Sequence, residues 1–186
     1  MPRTKTLSDE AVLDAVARVL FRTGPQDFTL AAAAAEASVA PATLIQRFGD
    51  KQALIVRAIE RDNARFIAFL AALPAAVGAQ AVIALFRGMS QTFGDMGAFA
   101  DQLLWLREDM RDPDLNRLAR ERFAALRAAV AARMPPLAIA PDLAARLVEA
   151  QWQGALNQWG IEPRGSLAEY VAENLAAWFD LVSRTA

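Results

Sequence analysis

The chain has 186 residues, 55% of them hydrophobic and 22% charged, with a formal net charge of −1 and neither Cys nor His. That length and apolar content allow a sizeable buried core and exclude a disordered chain. Without Cys and His there are no disulfides, no usual zinc ligand sets and no histidine-based catalysis, which leaves carboxylates, Lys, Tyr and hydroxyls as the only reactive groups.

The first expected helix runs from Asp9 to Arg22. Ser8 is its N-cap, Asp9 and Glu10 suit the positive end of its dipole, and Gly24-Pro25 ends it. Val12, Val16, Val19 and Leu20, with Leu13 beside them, give it an apolar face. Thr29 then caps a short Ala-rich helix. Ser38 interrupts this run, and Pro41 takes the first position of a second short helix, which ends at Phe48 before Gly49. Asp50 caps a longer helix from Lys51 to about Leu73, with Leu54, Ala58, Phe66 and Phe69 expected inside and Arg57, Arg61 and Arg65 facing water.

Pro74 and Gly78 separate it from a fifth helix, Ala79 to Phe93, which carries Val82, Phe86, Met89 and Phe93 on one side. A break at Gly94–Gly97 precedes a helix from Phe99 to Met110. Asp112-Pro113 opens the next, which runs to about Met134. After a proline-flanked linker come two more helices, Asp142 to Trp159 and Ser166 to Ser183, around a turn at Gly160–Gly165. No strand signal occurs, so the expected class is all-α. No apolar run reaches bilayer length, and the N-terminal segment is too charged for a signal peptide. The expectation is a cytoplasmic protein without a membrane partner.

Two short helices around a tight turn, the second with a polar face, form the architecture of a major-groove reader. By itself such a corner also occurs in bundles that bind no DNA. The residues make the reading specific. Within Ser8 to Ile59, the stretches VLDAVARVLFRTG, FTL and ASVAPATLIQRFGDKQAL resemble the N-terminal domain of the tetracycline-repressor (TetR) family of bacterial transcription regulators. Phe21, Gly24, Thr29, Ala37, Val39, Thr43, Leu44, Phe48 and Lys51 are in register with the family pattern.

The resemblance implies an N-terminal three-helix helix-turn-helix domain, residues 1–50, followed by a helical-bundle ligand-binding and dimerisation domain, residues 51–186, with helix 51–73 connecting the two. It implies a double-stranded DNA operator as partner, met by Thr43, Ile45, Gln46 and Arg47. Gln pairs with adenine, Arg pairs with guanine or holds a phosphate, and an apolar group meets a thymine methyl. Thr29 and Lys51 would grip the DNA backbone, and Arg3 and Lys5 would reach phosphates or the minor groove.

Several positions depart from the pattern. Ser38 stands at the family's turn Gly, at a cost of about 1 kcal/mol if the backbone there needs positive φ. Ala40 replaces the usual Ser, so a cap worth roughly 1 kcal/mol is missing. Ile45 replaces the common Tyr, and Arg47 the common His. Within residues 1–51, Arg3, Lys5, Arg18, Arg22, Arg47 and Lys51 are balanced by Asp9, Glu10, Asp14, Asp27, Glu36 and Asp50. DNA affinity must then come from charge placement and from two copies acting together.

In the second half, Phe86, Met89, Phe93, Leu103, Trp105 and Trp152 are candidates to line a cavity for a small apolar or aromatic effector. Plain core is the alternative for each. Gln151, Gln153, Asn157 and Gln158 lie among aromatics and need partners if buried. The resemblance implies a homodimer through the last two helices, with Leu147, Gly154, Trp159, Leu175, Trp178, Phe179 and Val182 at the interface; burial within one subunit is the alternative. The charged run from Arg107 to Asp114 reads as a helix cap with flanking ion pairs rather than an acid–base or metal site. No catalytic residue, metal or cofactor is expected, and no enzyme. The expected function is that of a ligand-responsive regulator, most often a repressor in the family, which leaves a palindromic operator when a small apolar molecule binds. The alternative is a dimeric helical protein that binds a ligand or partner and has degenerate DNA binding.

Overall fold

The structure, a computed structural model, describes residues 7–74, 76–93 and 96–184. Among these are nine α-helices and no strand: α1 Asp9–Asp27, α2 Leu30–Glu36, α3 Pro41–Phe48, α4 Lys51–Ala72, α5 Ala79–Ser90, α6 Met96–Arg111, α7 Pro113–Ala131, α8 Pro141–Ile161 and α9 Leu167–Arg184. A single 3-10 turn, Gln91–Phe93, follows α5. The all-α expectation holds, with helix ends within a few residues of those read from caps and breakers.

Short side chains set the ends of the early helices. Ser8 Oγ accepts from the Ala11 N–H at 3.2 Å, and Thr29 Oγ1 from the Ala32 N–H at 3.1 Å. α1 is interrupted at Gly24, whose φ of 74° lies in the left-handed region that glycine enters without a Cβ penalty. Asp50 Oδ1 accepts from Ala53 N–H at 2.8 Å and opens α4. Asp112 Oδ1 does the same for α7, accepting from Asp114 and Leu115 at 2.9 and 3.0 Å.

The chain forms two compact units, Met1–Ala68 with Asp101–Arg122 and Phe69–Ala100 with Phe123–Ala186. The core of the first gathers Val16, Leu20, Phe28, Leu44, Phe48 and Leu54 with Trp105, Leu115 and Leu118. A polar network runs through it. Asn63 donates to the Leu118 carbonyl at 2.8 Å, and Arg122 donates to Asn63 Oδ1 at 3.2 Å and to Asp109 at 2.7 Å. Burial pushes the Asp109 carboxyl above its ordinary pKa, against the pull of Arg122.

Two expectations for α4 fail. Phe69 is 52% exposed rather than inside, because the buried stripe passes through Leu54, Ile55, Ala58, Ile59 and Asn63 and leaves position 69 off its line. Arg61 and Arg65 do not simply face water. Both grip Asp14 of α1, at 2.6 and 2.8 Å.

In the second unit α9 packs against both α5 and α8. Val82, Phe86, Val148, Trp152, Val171, Leu175 and Phe179 are its buried members. Arg133, itself buried, donates to the carbonyls of Ala129, Leu73 and Pro74 at 2.8, 3.2 and 3.0 Å, so its charge serves backbone ends that no helix satisfies. Glu149 pairs with Arg127 at 3.2 Å.

Candidate nucleic-acid interface

The reader corner is built by the turn between α2 and α3. Ser38 adopts φ 54°, the only positive φ outside glycine among the described residues. The Val39 N–H closes back on Ala34 O at 3.0 Å, which turns the chain sharply and aims α3 away from α2. The sequence expected strain at Ser38, and the backbone has it. Ala40 makes no side-chain cap bond.

Leu44 and Phe48, one turn apart, sink α3 into the core, while Ala42, Ile45 and Gln46 lie on the opposite face and are exposed. Ile45 is 40% accessible, a large apolar side chain in water beside a free amide. Thr43 is half-buried at the edge of this face. Gly49, at φ 90°, ends the helix.

Arg47 does not join that face. Its Nε donates to Asp9 Oδ1 at 2.8 Å, and a terminal nitrogen donates to the Leu7 carbonyl at 2.9 Å and to the same carboxylate. The guanidinium also lies over the Phe48 ring, 5.4 Å from its centroid. Arg18 and Arg22 are likewise occupied: both bind Glu36, at 3.0 and 3.3 Å, and their hydrogen bonds hold its carboxyl below the usual carboxylate range. Lys51 is exposed, its ammonium 5.5 Å from the centroid of the buried Phe28 ring. Thr29 spends its hydroxyl oxygen on the α2 cap. Arg3 and Lys5 lie outside the described residues.

The sequence named Arg47 but not its partner, because Asp9 stands 38 residues away. As a first-turn acid of α1, Asp9 already had a local explanation.

The effector candidates are divided between the two units. Phe86 and Trp152 do pair in the second unit, with ring centroids 4.9 Å apart. The Trp152 indole N–H donates to Ser90 Oγ at 3.1 Å, and the Ser90 hydroxyl donates to Phe86 O at 2.7 Å. Met89 is half-buried in the same helix as Phe86. Trp105 instead belongs to the reader's core, 5.7 Å from Phe21, and its buried Nε1 has no hydrogen-bond partner among the described residues. Leu103 is 44% exposed, and the Phe93 side chain lies outside the described part. The sequence missed a shallow groove of ≈ 270 Å³ on the second unit, lined by Gln80, Ile83, Ala84 and Arg87 of α5 and Ala172, Glu173 and Ala176 of α9.

The interface candidates also divide. Trp159, Leu175 and Phe179 are buried inside their own unit, and the Trp159 indole donates to Gly165 O at 3.3 Å. Their large apolar groups therefore complete the unit's core first. Trp178 and Val182 are half-buried, the Trp178 ring edge-on to Phe179. Leu147 is 45% exposed, and a Cβ added at Gly154 meets nothing within 4 Å. Of the polar residues on α8, Gln153 donates to Glu149 at 3.4 Å, Gln158 accepts from the Tyr170 hydroxyl at 3.4 Å, and Asn157 is exposed. Among the described residues no helix is long and apolar enough to cross a membrane.

A short helix locked to the core by two apolar residues, offering its other face to a groove, defines a helix-turn-helix protein. Residues 12–58 match the family model of the bacterial regulatory proteins of the tetR family. Solved structures match nearly the whole chain. A transcriptional regulator from Rhodococcus sp. Rha1 is 18% identical, with a TM-score of 0.75 over 97% of this chain and 98% of that one. A TetR-family member from Streptomyces coelicolor A3 is 24% identical, with a TM-score of 0.66 over 91% and 98%. The multidrug binding protein EbrR, complexed with malachite green, is 26% identical, with a TM-score of 0.65 over 90% and 95%. No curated protein sequence matches the chain. Residues 12–58 thus form a helix-turn-helix domain of the tetR-family type, and the chain as a whole shares the fold of the solved regulators.

Proposed function

We propose that this protein is a ligand-responsive repressor that binds a palindromic operator as a homodimer and leaves it when a small apolar or aromatic molecule binds. The exposed face of α3, Ala42, Ile45 and Gln46 over a core-anchored Leu44 and Phe48, is the observation that carries the reading. In this reading residues 1–50 are the DNA-binding domain and residues 51–186 the ligand-binding and dimerisation domain. Thr43, Ile45 and Gln46 meet bases, and Thr29 and Lys51 meet the backbone. Two readers about 34–36 Å apart would enter successive major grooves. Leu147 and Gly154, accessible on α8, are the best supported members of a dimer surface.

The effector reading rests on the Phe86–Trp152 pair and on EbrR, which has been solved with proflavin and with malachite green. An effector acts only if it binds the DNA-competent and released states unequally, and α4 is the element proposed to carry that difference.

A second reading has an observation of its own. Arg18, Arg22, Arg47, Arg61 and Arg65 all hold carboxylates within the first unit, which weakens the attraction to phosphate. That favours a helical dimer with degenerate DNA binding. Footprinting on the DNA upstream of the gene, at two salt concentrations and with Gln46→Ala as control, separates the two. Protection of a palindrome, weakened by salt and by the variant, supports the repressor. No protection at low salt, together with no enrichment from random DNA, supports the second reading.

A further inference from the structure

Resting on the regulator reading, we infer that the operator half-site is read at adenine–thymine pairs through Gln46 and Ile45, and that Asp9 withdraws Arg47 from guanine. Residues i, i+3 and i+4 of a helix share one face. On α3 that face is Ala42, Ile45 and Gln46, all exposed. A Gln amide matches the N6 donor and N7 acceptor of adenine in the major groove, and apolar side chains match the thymine C5-methyl. Nothing on this face matches O6 and N7 of guanine, the pair that Arg or Lys reads by two parallel hydrogen bonds.

Arg47 is the one cation of α3, and its donors are committed elsewhere. Asp9 and the Leu7 carbonyl take its Nε and a terminal nitrogen, while Phe48 covers its plane. The side chain is only 20% accessible, against 67% for Asp9. Arg47 thus works as a strap between the reader helix and the start of α1. Its chemistry toward DNA is set by a carboxylate on another helix. Lys51, the nearest other cation in sequence, sits beyond Gly49 and leans on the Phe28 ring, which suits a phosphate rather than a base edge.

The test is enrichment of random double-stranded DNA by the full chain and by Gln46→Ala, Arg47→Ala and Asp9→Ala, with circular dichroism to confirm that each is folded. The wild type should enrich half-sites with adjacent A·T pairs at the positions read. Gln46→Ala, an exposed change that spares the core, should lose the adenine preference by about 5- to 100-fold, as expected for one bidentate contact. Arg47→Ala should leave the base preference unaltered. Asp9→Ala should add a guanine preference of similar size.

A wild-type preference for guanine that disappears in Arg47→Ala overturns the inference while leaving the regulator intact. An Asp9→Ala selection identical to the wild type overturns the role given to Asp9. Failure of the folded wild type to enrich any sequence, at any salt, overturns both the inference and the regulator reading on which it rests.

Discussion

The two units are held together differently. The first contains the two shortest α-helices, α2 and α3, only seven and eight residues long. Helices of that length are marginal in isolation, so their stability comes from tertiary ties. Here the ties are a shared core and a set of ion pairs between elements: Arg18 and Arg22 to Glu36, Arg47 to Asp9, Arg61 and Arg65 to Asp14. The second unit lays α5 and α8 along α9 and buries Phe86, Trp152, Leu175 and Phe179 between them. A side chain that looks functional in sequence is therefore used for assembly in both units, as an arginine strap in the first and as an aromatic filler in the second. Only groups left out of those ties, such as Gln46 and Ile45, remain available to a partner.

The most severe test of this division is Leu118→Ala. Leu118 is 2% exposed, far along the chain from the reader, yet it belongs to the reader's core. Truncating a buried leucine typically costs about 2–5 kcal/mol. Amide exchange should then accelerate first in α1, α2 and α3, with α5, α8 and α9 still protected. Loss of protection centred on α5 and α9 would show that the division into units is wrong.

A second comparison sets one tryptophan from each unit side by side. Trp152→Phe and Trp105→Phe remove similar volume, but the Trp152 indole bonds to Ser90 and the Trp105 indole finds no partner among the described residues. Losing a made hydrogen bond costs about 0.5–1.5 kcal/mol, whereas removing an unsatisfied buried donor relieves a penalty of about 1–3 kcal/mol. Urea unfolding should find Trp152→Phe the less stable variant, by roughly 1.5–4.5 kcal/mol. Equal losses would mean that Trp105 Nε1 has a partner after all.

Smaller effects belong to the reader turn. Ser38→Gly removes the Cβ from a residue at φ 54°, and Ala40→Ser supplies a capping hydroxyl at the start of α3. Each should stabilise the first unit by about 0.5–1 kcal/mol. A destabilised Ser38→Gly would mean that the serine side chain does something for the turn that its geometry does not reveal.

That turn also shows what was legible in the sequence. Caps and breakers act within a few residues, so Ser8, Thr29, Asp50 and Asp112 could be read with their roles, and the helix order followed. The exposed face of α3 was legible in part: Ile45 and Gln46 lie on it as expected, whereas Thr43 is half-buried at its edge and Arg47 is drawn off it to Asp9. Pairings across the fold were not legible. Asp9 reads equally well as a dipole partner of its own helix, Trp105 equally well as a pocket wall, and Phe69 equally well as core. Those choices depend on which helices meet, and local periodicity carries no such information.

The gentlest contrast is in pH dependence, where a carboxylate from each unit should respond with opposite sign. Hydrogen bonding from Arg61 chiefly holds Asp14 below its ordinary value of 3.8, with Arg65 assisting and burial opposing. Its depressed folded pKa means that the pair's contribution is present above the unfolded value and is lost as pH falls through the folded one. Glu149 is shifted the other way, raised from 4.5 chiefly by burial and restrained by Arg127. In the window just above its unfolded pKa the folded form binds the extra proton, so its contribution falls as pH rises through the raised value. Asp14→Asn should therefore flatten the acid limb of stability in the first unit. Glu149→Gln should remove a decline on raising the pH above about 4.5 in the second. Urea midpoints measured across the acid range, with amide exchange to assign the unit, decide the matter. Slopes of the same sign in the two variants would mean that burial does not dominate at Glu149, and the contrast between a surface-tied unit and a burial-tied one would fail there.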